Sequence, residues 1–304
     1  MNLKNKKFIF IVNPKSGKLS KKKKIKLISD CFPSNPDIVF AKDSQETSIL
    51  SAEAFKKDQI VVACGGDGTV NLVANQAIIY DGIMSILPLG RGNDFAKFIG
   101  INSINQFKRM LINSTILKCE YLDLNFKNTK KICLTSAGVG LLSEAAYRAS
   151  KTPIFQGVLL YLIAALTSFI NLKAHSYIVN FDKMKNLNEK LAILVAASTP
   201  FAGGGMHIAP DALKYENKVN LLYAKKVSRI QAIGLLSKVM SGNHLGHPKV
   251  NNFHVKNCII ETNDKNFWAP LVYGDGEHLG NLPVDIKKGQ KRLKVLVANN
   301  ENTN

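Results

Sequence analysis

Apolar positions fall into two textures along the chain. In the first part, short apolar runs alternate with longer amphipathic ones. Phe8–Val12, Asp37–Phe40, Ile60–Cys64 and Met84–Leu87 read as strands. Between them lie stretches with helical spacing. One opens at Lys21–Lys24 and continues through Ile25, Leu27 and Ile28. A second takes Ser44 as its cap and runs over Thr47–Lys57, and a third spans Val70–Tyr80. Strands alternating with helices predict a mainly parallel, doubly wound α/β sheet.

From Glu120 the texture changes. Tyr121–Phe126 and Lys131–Ser136 are strand-like and joined by Lys127-Asn128-Thr129-Lys130, which predicts a hairpin. Helical segments follow over Ser143–Leu172, and short β-like runs recur at 176–181, 190–197, 219–224, 253–261 and 284–286. Close strands without intervening helices predict a second, mainly antiparallel β domain, with the boundary near residue 123. The last segment, Lys291–Ala298, alternates Leu293, Val295 and Val297 and can return to either domain. Phe155–Leu172 is almost uncharged and sits at the short limit for a membrane span. It contains Gln156, Thr167, Ser168 and Asn171, and is read as a helix buried in protein and lining an apolar pocket.

Ligands of doubly wound sheets bind at the carboxyl ends of the strands. Three loops of small and polar residues fall there. The strand Ile60–Cys64 stops at Gly65-Gly66-Asp67-Gly68-Thr69, and a helix follows. That arrangement points backbone N–H groups at a bound anion, and glycines let a phosphate approach closely. A bare carboxylate would repel phosphate, so Asp67 is expected to act through a divalent cation or a ribose hydroxyl. The plain alternative is a tight turn with a helix cap. Asn13-Pro14-Lys15-Ser16-Gly17-Lys18 is a second candidate phosphate loop, without Walker A spacing. In the third, Pro88–Ala96, Gly90 and Gly92 free the backbone and Arg91 can make bidentate phosphate contacts. Asn93 can bond a ribose or base, and Asp94 can cap the next helix.

Charge sharpens this picture. There are 41 Lys+Arg against 22 Asp+Glu, a net charge of +19. Such a balance implies a polyanionic partner, nucleic acid or an anionic membrane surface. No zinc module, helix-turn-helix or aromatic RNA-binding stretch accompanies it, so nucleic acid is not expected. The five cysteines, at 31, 64, 119, 133 and 258, include no CxxC pair and are expected to be buried, reduced thiols of a cytoplasmic protein.

Three stretches in the second half carry candidate chemistry. Phe201-Ala202-Gly203-Gly204-Gly205-Met206 is a glycine turn after a buried strand. His244-Leu245-Gly246-His247 has no third ligand nearby and is expected to be a solvated loop. Tyr273-Gly274-Asp275-Gly276-Glu277-His278 brackets two carboxylates with glycines. They can share the roles of base and orienting partner, although Asp-Gly is also ordinary hairpin chemistry.

In order, Asn13-Pro14-x-Ser16-Gly17, Gly65-Gly66-Asp67-Gly68-Thr69-x-Asn71, Pro88-x-Gly90-x-x-Asn93-Asp94-Phe95-Ala96, Gly203-Gly204-Gly205-Met206 with Ala209-Pro210-x-Ala212, and Asp275-Gly276-Glu277 span nearly the whole chain. Together they resemble the diacylglycerol kinase catalytic-domain family, soluble bacterial-type lipid kinases related to sphingosine kinases. The Gly-Gly-Asp-Gly-Thr loop alone is shared with NAD kinases and phosphofructokinases.

The resemblance implies a NAD kinase/diacylglycerol kinase-like fold. Its nucleotide domain would cover 1–123, rejoined by 289–304, and its sandwich-like lipid domain 124–288. It implies ATP and Mg²⁺ as cofactors and γ-phosphoryl transfer to a lipid hydroxyl, of diacylglycerol or a related lipid. By position, Asp275 matches the family's general base, Glu277 its partner, and Asp67 the acid tied to the Mg–nucleotide network. Asn13, Ser16, Gly17, Gly65, Gly66, Gly68, Thr69, Arg91 and Asn93 fall in nucleotide-contacting loops. Arg91 stands where the family usually has Thr. Tyr215-Glu216-Asn217 replaces an Asp-Asp-Gly that carries a structural metal in some members, a departure that argues against that site here, with Glu216 as its remaining candidate ligand. An Asn that often precedes the Gly-Gly-Gly turn is replaced around Ala197-Ser198.

Lys4, Lys6, Lys7, Lys21–Lys24, Lys287, Lys288, Lys291, Arg292 and Lys294 come from the two ends of the chain. They are expected to dock a cytoplasmic enzyme peripherally on an anionic membrane. A homodimer is compatible with the sequence. The competing functions are a kinase of a non-lipid acceptor such as NAD, and a non-catalytic nucleotide or lipid sensor.

Overall fold

The structure, a computed structural model, describes residues 6–32, 36–151, 173–181 and 186–299. The expected apolar helix at 155–172 lies outside the described residues. The chain divides into two compact units: residues up to Cys119 together with Lys291 onward, and Glu120–Gln290. The sequence pattern places the divisions at 123/124 and 288/289.

The first unit is built on β1 (Phe8–Val12), β2 (Asp37–Phe40), β3 (Ile60–Gly65), β4 (Ile83–Pro88), β5 (Ser114–Cys119) and the chain's last strand, β17 (Leu293–Ala298). Their order is β2-β1-β3-β4-β17-β5. Every neighbouring pair is parallel except β17 with β5. The final strand therefore belongs to this unit, wedged between β4 and an antiparallel edge. Val61, Val62, Ala63 and Cys64 of β3 are fully buried, as a central strand covered on both faces requires. Helices α1 (Lys21–Cys31), α2 (Ser44–Lys56), α3 (Asp67–Tyr80), α4 (Asp94–Phe98) and α5 (Ile104–Ile112) connect the strands.

Three boundaries differ from expectation, each for a local reason. The cap of α2 is Asp43, whose carboxylate accepts the Glu46 N–H at 2.8 Å; Ser44 is already helical. Helix α3 begins at Asp67, so the Asp-Gly-Thr of the glycine loop forms its first turn. Asp94 is likewise inside α4, and Asn93, in the left-handed region at φ 56°, occupies the cap position. Helix α5 and strand β5 are additions to the elements that the sequence pattern predicts.

The second unit is one antiparallel sheet of eleven strands among the described residues. They are β6 (Leu122–Phe126), β7 (Lys130–Cys133), β8 (Ser136–Gly140), β9 (His175–Phe181), β10 (Leu187–Ala197), β11 (Val219–Lys225), β12 (Val250–Val255), β13 (Asn257–Glu261), β14 (Leu271–Gly274), β15 (Glu277–Asn281) and β16 (Val284–Lys288). Strand β10 organises them. Its first half pairs with β9, its second half with β8, and its other edge with β11. The predicted hairpin at 121–136 is β6–β7, with β8 starting as a separate strand. Helices α6 (Leu141–Lys151) and α7 (Arg229–Ser241) pack on this unit. Tyr177, Leu194 and Leu221 are among the residues of one apolar core; Val195, Met206 and Leu236 belong to another.

Candidate functional site

In the first unit the structure brings the three loops together at the carboxyl ends of β1, β3 and β4. The Leu89 N–H donates to the Gly65 carbonyl at 2.9 Å, and the Asn13 N–H to the Cys64 carbonyl at 3.0 Å. Gly66 and Gly90 meet backbone to backbone: a Cβ on Gly90 would lie 2.2 Å from the Gly66 Cα. Gly17, at φ +66°, sits as tightly against the Leu89 carbonyl. The Asn13 side-chain N–H₂ donates to the Thr69 hydroxyl at 3.2 Å. Ser16 lies beside Gly66.

The first intrahelical bond of α3 runs from the Val70 N–H to the Gly66 carbonyl at 3.0 Å, and the N–H groups of residues 67–69 precede it. Gly66 offers no side chain to cap them. A helix start of this form can receive an anion.

Asp67 has a structural task besides the expected cation or ribose contact. One carboxylate oxygen accepts the Asn93 N–H at 2.8 Å and the other the Asp94 N–H at 2.9 Å. It thereby pins the third loop to the second. Asn93 folds onto the same loop: its side-chain oxygen accepts the Gly90 N–H at 3.1 Å and its N–H₂ donates to the Gly90 carbonyl at 3.0 Å. Arg91, in the same loop, is half-buried.

Lys24 was missed. It is fully buried, and its ammonium donates to the carbonyls of Asn13 and Pro14, each at 2.9 Å. Burial pulls its pKa below the ordinary lysine value, with the Cys64 thiol opposing. The signal was present: Lys24, Ile28 and Cys31 are the buried face of α1 at helical spacing.

In the second unit, Asp275 and Gly276 form the two-residue turn of the β14–β15 hairpin, at φ +49° and +78°, with Gly274 paired to Glu277. Two positive φ values in succession are what a type I′ turn demands, so the hairpin chemistry and the candidate base coincide. Strand β14 pairs with β8, which sets the turn beside the segment leading into β8. The Asp275 carboxylate there accepts the Leu134 N–H at 2.7 Å, the Thr135 N–H at 3.0 Å and the Thr135 hydroxyl at 2.7 Å. Asp275 is 8% exposed. Glu277 is exposed as a residue. Desolvation by the protein around its carboxyl, then the Asp275 charge, push its pKa above the usual carboxylate range, and Lys131 opposes them.

Other expectations are redrawn. Among the described residues no three His, Cys, Asp or Glu side chains gather as a metal cage. The Asn217 N–H donates to Glu120 at 2.8 Å, and Glu120 pairs at 2.9 Å with the buried Lys288, which also donates to Ser198 at 2.9 Å. The turn at 215–217 is thus tied to an ion pair. His244 is not solvated: it is buried, and its Nε2 lies 2.9 Å from the Ile208 carbonyl. Gly203, Gly204 and Gly205, all at positive φ, form a tight connection bridged between Ala202 and Met206. All five cysteines are buried thiols.

The cationic ends of the chain are also partly engaged. Lys6 pairs with Asp58, Lys294 with Asp81, and Lys24 and Lys288 are buried. Lys287 and Lys288 belong to the second unit, while Lys291, Arg292 and Lys294 belong to the first.

The second unit contains an apolar cavity of ≈ 130 Å³, walled by Leu142, Ile193, Met206, Leu222, Leu235 and Val239 among others. Helix α6 forms part of the wall. It is tethered by the Ser143 hydroxyl, which donates to the Leu271 carbonyl of β14 at 2.6 Å. No helix among the described residues is long and apolar enough to cross a membrane.

The chain matches the diacylglycerol kinase catalytic domain over residues 7–121 and the YegS C-terminal NAD kinase beta sandwich-like domain over residues 135–297. It is 26% identical over 262 residues to a diacylglycerol kinase of Staphylococcus haemolyticus (strain JCSC1435), covering 84% of this chain and 77% of that one. It is 24% identical over 256 residues to a diacylglycerol kinase of Bacillus subtilis (strain 168), covering 83% and 82%. A crystal structure of a diacylglycerol kinase from Bacillus anthracis str. Sterne shares the fold, with a TM-score of 0.70, 16% identity and 97% of each chain covered. With both halves matched in order, the chain belongs to the diacylglycerol kinase catalytic-domain family of lipid kinases.

Proposed function

We propose that this kinase transfers the γ-phosphoryl group of ATP to a hydroxyl of a membrane lipid, diacylglycerol or a close relative. The observation that carries this reading is the apolar cavity, which lies in the same unit as Asp275 and shares strand β14 with it through α6. Its volume is comparable with apolar cavities that stay dry and take up small hydrocarbons. Its apolar lining suits an acyl chain better than a soluble dinucleotide.

In this account the three joined loops of the first unit hold the nucleotide. The start of α3 receives phosphate oxygens, Arg91 adds charge, and Asn13, Ser16, Gly17, Thr69 and Asn93 shape the loops around them. Mg²⁺ is usually held by one or two carboxylates together with substrate phosphates. Asp67 would supply the carboxylate, and the ion would neutralise phosphate charge. In the second unit Asp275 accepts the proton of the attacking lipid hydroxyl. Three donors hold its carboxylate in one orientation, and the raised Glu277 carboxyl stands beside it.

Incubation of purified protein with γ-labelled ATP, Mg²⁺ and separate acceptors tests the reading. Diacylglycerol, a sphingoid base, a polyprenol and NAD cover the classes. Label in a lipid product is the expected result. Label in NAD alone, or in no acceptor, overturns it.

A further inference from the structure

Helix α7 carries two apolar faces. Ala232, Leu235, Leu236 and Val239 turn inward and all line the cavity. Ile230, Ile233 and Met240 lie on its outside, 84%, 54% and 41% exposed. Spacings of three and seven residues place them along one side of the helix. Cations edge this stripe. Arg229 and Lys238 flank it on the helix, and Lys226 and Lys249 lie on adjoining segments, all exposed. The Lys249 ammonium donates to the Lys226 carbonyl at 3.1 Å, joining those segments. From Ser228 to Gly242 there is no acidic residue, and Glu189 nearby is paired with Lys225 at 2.9 Å.

We propose that α7 is the membrane-docking element of this protein, seating the Ile230–Ile233–Met240 stripe in the headgroup region of an anionic bilayer. An apolar stripe with Lys and Arg at its margins is the composition of a helix that lies in the membrane interface. Basic residues there are drawn to an anionic leaflet. The placement rests on the lipid-kinase reading for its purpose, and on exposure and charge for its location. Because the inner face of the same helix walls the cavity, a lipid leaving the bilayer would need to move only about one helix diameter, ~10 Å. This differs from docking through the lysines of the chain ends, several of which are internally engaged.

The test is sedimentation of the full chain with phosphatidylcholine vesicles, with and without phosphatidylglycerol. The parent is compared with the double variants Ile230→Ser/Ile233→Ser and Arg229→Gln/Lys238→Gln. The parent should bind the anionic vesicles selectively, and each variant at least ~10-fold more weakly. Phosphorylation of monomeric dihexanoylglycerol should be unchanged in both, which also reports that they fold, while phosphorylation of vesicle diacylglycerol falls with binding. Absent parental binding, or unchanged binding of the variants, overturns the proposal. So does a parental dimer that the isoleucine variant dissociates, which would assign the stripe to a second copy of the chain. Binding through α7 without phosphorylation of any lipid would overturn the kinase reading and leave the docking surface standing.

Discussion

Thr135 and Asp275 are 140 positions apart and meet through two hydrogen bonds on one carboxylate oxygen, from the Thr135 N–H at 3.0 Å and its hydroxyl at 2.7 Å. A hydroxyl–carboxylate bond of this kind is worth ~1.5–3 kcal/mol. Thr135→Val keeps the shape and the N–H but removes the hydroxyl. We expect kcat to fall roughly tenfold with KM for ATP unchanged, and Thr135→Ser to restore it. Equal kcat in the valine variant would mean that the hydroxyl does not set the carboxylate's orientation.

Gly66 and Gly90 make a second, asymmetric prediction. A Cβ on Gly90 would lie 2.2 Å from the Gly66 Cα, whereas one on Gly66 would lie 3.2 Å from the Gly90 Cα. Both obstacles are backbone and cannot swing away. Gly90→Ala should destabilise by ~1–3 kcal/mol and abolish thermal protection by ATP. Gly66→Ala should do less of both. Denaturant unfolding with and without ATP reads the order, and equal losses would contradict the crossing of the two loops.

Asp67 separates two roles that coincide in an activity assay. If it only served Mg²⁺, Asp67→Asn would leave the ligand-free protein as stable as its parent. In the structure both oxygens accept main-chain N–H groups of the third loop. An amide would turn its own donor toward one of them. We expect a loss of ~1–3 kcal/mol even in the presence of a chelator and without nucleotide.

Glu277 predicts a pH dependence with a defined sign. Its folded-state pKa is raised by desolvation and by Asp275. Between the ordinary glutamate value and the raised one, the folded state binds more protons than the unfolded chain, so stability falls as pH rises through that window. Glutamine resembles the protonated acid at every pH. Glu277→Gln should therefore match its parent below the window and melt higher above it. Parallel Tm curves across the whole range would show that the carboxyl is not crowded.

Much of the fold was legible because it is local. The βαβ alternation, the glycine loops and the Asp-Gly turn each announce themselves within a few residues. What was illegible is non-local or doubled in meaning. Nothing near Thr135 points to a partner 140 residues away. Lys24 closes a run of four lysines, and such a run reads as solvated until the periodicity with Ile28 and Cys31 is followed. Helix α7 does not announce itself in the sequence because Ile230 and Ile233 outside and Leu235 and Leu236 inside blur a single apolar face. Strand β10 takes partners on both edges and changes one of them midway, a choice no strand of eleven residues encodes alone.

The most direct measurement of the central claim is phosphoryl transfer by Asp275→Asn. The substitution keeps the side chain's size and the turn while removing the proton acceptor. With γ-labelled ATP and diacylglycerol, it should lose at least ~100-fold in kcat, within the range of general-base effects, while ATP still raises its Tm as in the parent. Turnover equal to the parent's would contradict Asp275 as the base.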